Sequence, residues 1–206
     1  FTSSVPRPFW NDGGPLLIAP QAAVGAWEGA DPPAGRVVDA RFRWSDPDAV
    51  ACDYDRACDV DPESAAVLDV GPSWGVVIGT AAAQSALWLP GRAPQEFYAV
   101  GIEAVEDATP ERLRALAESP GEWGVLRERA AVGPEGLLLA HAASRLAEVR
   151  ERPAAMPASA AADGEAALIG DGLRYPAPAG EYTIAARDVV TADGEYLTFI
   201  RFGPAE

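Results

Sequence analysis

The chain is a succession of apolar runs too short for long helices and separated by turn residues, and this pattern limits the architecture most. Residues 16–19, 65–70, 74–79, 87–90, 96–105, 136–140, 166–170, 181–190 and 195–202 each read as a strand. Gly71-Pro72-Ser73 and Ala192-Asp193-Gly194 stand between neighbouring runs and carry the residues that hairpin turns use. The expected fold is α+β, mainly antiparallel sheet with a few short helices. Residues 1–206 form a single domain in this reading, with 1–9 a loose lead-in and 153–165, low in complexity, a mobile loop.

Two helices are expected. Thr109 is a cap for Pro110, and Leu113, Leu116 and Ala117 give an inward stripe before Pro120-Gly121 stops the helix. The other lies in 45–63, where seven of the eighteen residues from Asp46 onward are acidic and Arg56 is the only base. At about 100° per residue, Val50, Tyr54 and Ala57 share one side and Asp48, Asp55 and Asp59 the other. Ser45 or Asp46 would cap that helix and Pro47 would open it. Asp55 and Asp59, four apart, repel by a few tenths of a kcal/mol, and a basic partner would account for them. A solvated acidic face is the plainer alternative.

Further elements follow from shorter patterns. Pro20 starts a helical turn that places Ala23, Val24 and Trp27 inward, residues 36–44 alternate as a strand with Val38, Ala40, Phe42 and Trp44 on one face, and 144–152 reads as a helix. Leu87-Trp-Leu-Pro90 with the strand after it resembles Leu173-Arg-Tyr-Pro176 with the strand after that, which allows a fold of two related halves; chance similarity between two strand-and-turn units is the alternative.

Charge and composition remove several kinds of chemistry. With 31 acids against 16 bases the net charge is −15, which disfavours nucleic acid and anionic membranes and leaves cationic proteins as partners. Every base is arginine, so there is no lysine nucleophile and no P-loop lysine. His141 is the one histidine, which excludes multi-histidine metal sites. Cys52 and Cys58 would lie far apart around a helix, arguing against a disulfide and for a reducing, cytoplasmic setting. No apolar run is long enough for a membrane span, and no signal peptide is visible. No cofactor is implied, and the spacing of Asp59, Asp61 and Glu63 departs from a calcium loop at Ser64 and Val70.

Gly71-Pro72-Ser73-Trp74-Gly75 is a literal G-x-S-x-G, and a small serine hydrolase would pair Ser73 with His141. A nucleophile elbow must lead into a helix, whereas Val76-Val77-Ile78-Gly79 is β-branched and broken by glycine. A non-enzymatic β-rich ligand-binding domain is a further alternative.

Several short pieces occur together in order: Trp10-x-x-Gly-Gly-Pro-Leu-Leu-Ile-x-Pro20, Trp27-x-Gly29, Asp53-Tyr-Asp-Arg-Ala-Cys58, Gly75-Val-Val-Ile-Gly79, Leu87-Trp-Leu-Pro90, and Gly180-Glu-Tyr182 with Leu197-x-x-Ile-Arg201. Together they resemble the Immunity protein 21 family of bacterial polymorphic toxin systems. The resemblance implies a cytoplasmic, non-enzymatic protein that binds and neutralises a cognate toxin domain, and it brings no catalytic residues. Read with the acidic surplus, it leads us to expect Asp48, Asp53, Asp55, Asp59 and Asp61 to face a basic toxin, with Tyr54 and Trp44 packed beside them.

Overall fold

The computed structural model describes residues 9–10, 13–79, 81, 85–93, 95–103, 109–153 and 171–205. Residues 1–8 of the lead-in expected over 1–9, most of the 153–165 loop and the strand expected at 166–170 lie outside them; Phe9 falls in a strand.

Strands β1 (Phe9–Trp10), β2 (Leu16–Pro20), β3 (Ala65–Val70), β4 (Ser73–Ile78), β5 (Ser85–Pro90), β6 (Phe97–Ile102), β7 (Gly124–Val132), β8 (Leu137–His141), β9 (Arg150–Pro153), β10 (Asp171–Tyr175), β11 (Gly180–Val190) and β12 (Tyr196–Pro204) make two sheets. One runs β1-β5-β6-β12-β11-β7 and the other β3-β4-β2-β8-β10-β9. Every pairing is antiparallel except β9 with β10. The α+β class with mainly antiparallel sheet is therefore what the chain adopts.

The sheets pack face to face. Leu16, Ile18, Trp74, Val76, Leu137 and Leu139 from one meet Trp88, Phe97, Tyr182, Ile184, Ile200 and Phe202 from the other in the largest core cluster. Phe97 and Phe202 stack at its centre, ring centroids 4.8 Å apart. Both outer faces are also covered, which explains why central strands read as unbroken apolar runs instead of alternating. On the first sheet, Leu89, Tyr98, Val100 and Phe199 face helix α2 (Pro110–Ala117) through Leu113 and Ala117. On the second, Leu17, Val77, Leu138 and Ala140 face helix α1 (Asp53–Cys58) and the 3-10 turns Gln21–Ala26 and Leu146–Glu148 through Ala57, Trp27, Ala23 and Leu146.

Local signals hold at several ends. Thr109 Oγ1 accepts the Arg112 N–H at 3.3 Å. At the far end of α2, buried Arg187 donates to the Ser119 carbonyl at 2.7 Å and to that of Leu116, placing a cation where the helix dipole favours one. Gly71, at φ +56°, and Pro72 join β3 to β4 with Val70 opposite Ser73.

Four expectations are corrected. Residues 36–44 are not a strand: the N–H groups of Arg41, Phe42 and Trp44 go to aspartate side chains, leaving no ladder to join. The acidic helix does not start at Pro47; Asp46 instead closes a turn, its carboxylate accepting the Asp48 N–H at 2.9 Å and its carbonyl the Ala49 N–H at 3.0 Å. The 144–152 helix is a single 3-10 turn followed by β9, because pairing with β10 claims the backbone after Val149. The two resembling halves are not equivalent units: β5 and β6 are neighbours in one sheet, whereas β10 and β11 belong to different sheets.

Candidate functional site

Helix α1 lies over the outer face of the β2-containing sheet, and its acids face inward. Asp53 is fully buried (0% exposed) and Asp55 nearly so (2%). Asp53 is ion-paired with Arg36 and with Arg56, the latter at 3.3 Å, and accepts the Glu28 N–H at 2.9 Å. Asp55 accepts the N–H of Cys52 at 2.9 Å, capping its own helix, and that of Trp44 at 2.8 Å. Asp59 accepts the N–H of Arg41 at 2.6 Å and that of Phe42 at 2.9 Å. The positive partners that these carboxylates call for are supplied by the chain itself.

This overturns the expected display of Asp53 and Asp55 to a toxin. Burying a carboxylate is costly unless its charge is met, and here Asp53 has two arginines and an N–H, while Asp55 has two main-chain N–H groups. Asp55 and Asp59 do not repel along an open face, because each turns to different amides of the same preceding loop. Of the other expected partner-binding residues, Asp48, Asp61 and Trp44 are exposed and Tyr54 is half-buried. Asp61 accepts the Glu63 N–H at 2.9 Å in a local turn.

The three carboxylates fasten the loop over 36–51. Arg36 is held at its start, residues 41, 42 and 44 along its length, and Cys52 at its end. Arg43 ties its two arms, donating to the Ala40 carbonyl and to that of Ala49 at 3.3 Å, above a small cluster of Val38, Ala40 and Ala51. What the loop turns outward is apolar: Val37 is 97% exposed, Phe42 45%, Trp44 51% and Val50 71%. The only other large exposed hydrophobics among the described residues are Val125 and Val190. Phe42, Val50 and Val37 were not expected at a binding surface, and the alternation read in 36–44 did not single them out, since it grouped Phe42 with the buried Val38 and Ala40.

Trp44 is braced from behind. Its ring meets Tyr54 edge-on with centroids 6.1 Å apart, and Tyr54 packs on His141 at 5.8 Å. His141 Nδ1 accepts the Ala143 N–H at 3.1 Å, so Nε2 carries the proton and donates to the Gly13 carbonyl at 2.5 Å. Gly14 sits against the same group, at φ +97°, where a Cβ would lie 2.5 Å from the Tyr54 hydroxyl. Burial pushes the Tyr54 hydroxyl up to about 12 and the Cys58 thiol up to about 11, which keeps both neutral.

Ser73 and His141, the pair expected for a hydrolase, do not come together. Ser73 begins β4, whereas His141 lies opposite Leu16, which is opposite Ile78 at the other end of β4. The length of β4, about 17 Å at roughly 3.4 Å per residue, separates those ends, and Ser73 opens a strand instead of a strand-to-helix elbow. Among the described residues no cluster of three or more His, Cys, Asp or Glu side chains is placed to hold a metal ion. An open hollow of 540 Å³ over the other sheet, lined by Glu96, Glu128, Arg129 and Arg201 among others, mixes both charges. There Glu96 accepts the Tyr98 hydroxyl at 2.6 Å and Arg201 lies over Trp123 at 4.7 Å.

No helix among the described residues is long and apolar enough to cross a membrane. No protein-family model matches the chain, and no curated protein or solved structure matches it either.

Proposed function

We propose that the protein is an immunity protein: a non-enzymatic inhibitor that binds a cognate bacterial toxin domain in the cytoplasm and blocks it. The observation carrying this reading is the fixed presentation of the 36–51 loop, whose exposed apolar side chains are held outward by three carboxylates of α1 and its C-cap. A chain that commits buried charge to immobilising an exposed aromatic loop is organised for recognition, because a preordered loop loses little conformational entropy on binding. The resemblance to Immunity protein 21 supports the same function. Two of its pieces, Trp27-x-Gly29 and Asp53–Cys58, build the socket of this loop: the Tyr54 N–H donates to the Gly29 carbonyl at 3.0 Å, and Arg56 lies over Trp27 at 5.8 Å. The surplus of acids favours a basic toxin and speeds its encounter.

Co-expression is the test. Cells that produce the toxin domain encoded beside this chain should stop growing, and producing the chain as well should restore growth; killing that continues with the folded chain present would retire the reading. Ser73→Ala should leave protection intact if the chain remains folded. Loss of protection with an unchanged fold would instead favour catalysis by this serine.

A further inference from the structure

The 36–51 loop carries charges as well as apolar groups, and the two signs are disposed differently. Arg36 turns in to Asp53, and Arg43 donates to main-chain carbonyls of its own loop. Arg41 is the most exposed of the three, at 87% against 37% for Arg36, and it stays 3.8 Å from Asp59. Asp39, Asp46 and Asp48 are exposed, and no arginine among the described residues lies in ion-pair range of them. The loop therefore shows solvent a set of apolar side chains with an acidic surround, while most of its own cationic charge is used internally.

We propose that this loop is a preformed hook that enters a cationic recess on a partner protein, with Trp44 and Phe42 as apolar anchors and Asp39, Asp46 and Asp48 as its charged rim. It rests on the immunity reading only for the identity of that partner as a toxin; the chemistry of the recess follows from the loop. A tryptophan with one ring edge braced and half its surface open suits the centre of an interface, where aromatic anchors contribute most. A second copy of this chain is the wrong occupant, since each copy carries −15 and the loops would bring like charges together. Anionic ligands meet the same repulsion.

The assignment differs from an acidic helix face in what it makes essential. Asp53 and Asp55 act only by holding the hook, whereas Trp44, Asp46 and Asp48 touch the partner.

A displayed library of random peptides, panned on the full chain at low salt, tests this whatever the identity of the toxin. The recovered peptides should combine arginine or lysine with a large apolar residue. Their binding should fall at least ten-fold with Trp44→Ala, and Asp46→Asn with Asp48→Asn should weaken it and flatten its dependence on salt. Trp44→Ala and the double asparagine variant should melt with the parent, as expected for exposed side chains; Trp44→Phe serves as the anchor test should Trp44→Ala melt lower. Failure to enrich cationic peptides, recovery of acidic ones, binding indifferent to both sets of variants, or self-association through the loop would each overturn the proposal. The growth assay fails independently: rescue without cationic peptides removes the hook and keeps the inhibitor, and cationic peptides without rescue do the reverse.

Discussion

Asp55 accepts the main-chain N–H of Trp44 at 2.8 Å, so a carboxylate in the first turn of α1 fixes the backbone of a tryptophan whose side chain is half-exposed. The same carboxylate caps its own helix through Cys52. Removing it therefore loosens the display loop and the helix together.

Asp55→Ala should cost about 2–4 kcal/mol, since it leaves two buried or half-buried amides without an acceptor. Urea denaturation measures the loss. Amide exchange localises it: Trp44 and Cys52 should exchange faster while the central strand β2 keeps its protection. Uniform acceleration across β2 would mean that the carboxylate supports the whole fold and not the loop.

Asp53→Ala should be worse, about 3–5 kcal/mol, because Arg36 and Arg56 then lose a buried partner. A cycle with Arg36→Ala separates the pair from its surroundings, and a coupling of about 0.5–3 kcal/mol is expected. A coupling near zero would show that Arg36 does not hold the start of the loop.

Two glycines with the same backbone hand should respond differently. Gly29 has φ +62°, and a Cβ there would lie 2.6 Å from the Ser144 backbone; Gly35 has φ +72° and nothing within 4 Å. Gly35→Ala should cost about 1–2 kcal/mol for the left-handed backbone alone. Gly29→Ala should cost several kcal/mol or prevent folding, since the Ser144 backbone cannot move aside. Equal melting temperatures for the two variants would contradict the close approach of Gly29 to Ser144.

Alkaline pH should weaken the α1 region. Burial raises Tyr54 to about 12 and Cys58 to about 11, so the fold favours the protonated form of each. The stability linked to them is fully present below their unfolded values, about 8.5 for a thiol and about 10 for a tyrosine. It is lost as pH rises through 11 and then 12. Urea midpoints should fall between about pH 8 and pH 11, and fall less in a Tyr54→Phe, Cys58→Ala variant. At about pH 8 Cys58 should alkylate far more slowly than an unfolded thiol; reaction at the unfolded rate would show that it is not shielded.

Local patterns decided much of the sheet. Gly71-Pro72 and the run through Gly194 specify hairpins by turn chemistry, the apolar runs of β2, β4, β8, β11 and β12 specify strands, and Thr109 with Pro110 specifies the start of α2. Strand β7 escaped because Arg127-Glu128-Arg129 interrupts its apolar residues and most of it is exposed, so it owes its form to pairing with β11. Neither alternation nor composition could show that Asp53, Asp55 and Asp59 point inward. Whether an aspartate faces water or an amide depends on what lies opposite it, and here that is a segment 11 to 18 positions away in the chain. The sequence by itself determined where carboxylates and aromatics concentrate; the tertiary structure decided which of them hold and which are held out, because charge is buried only where the fold brings a partner to it.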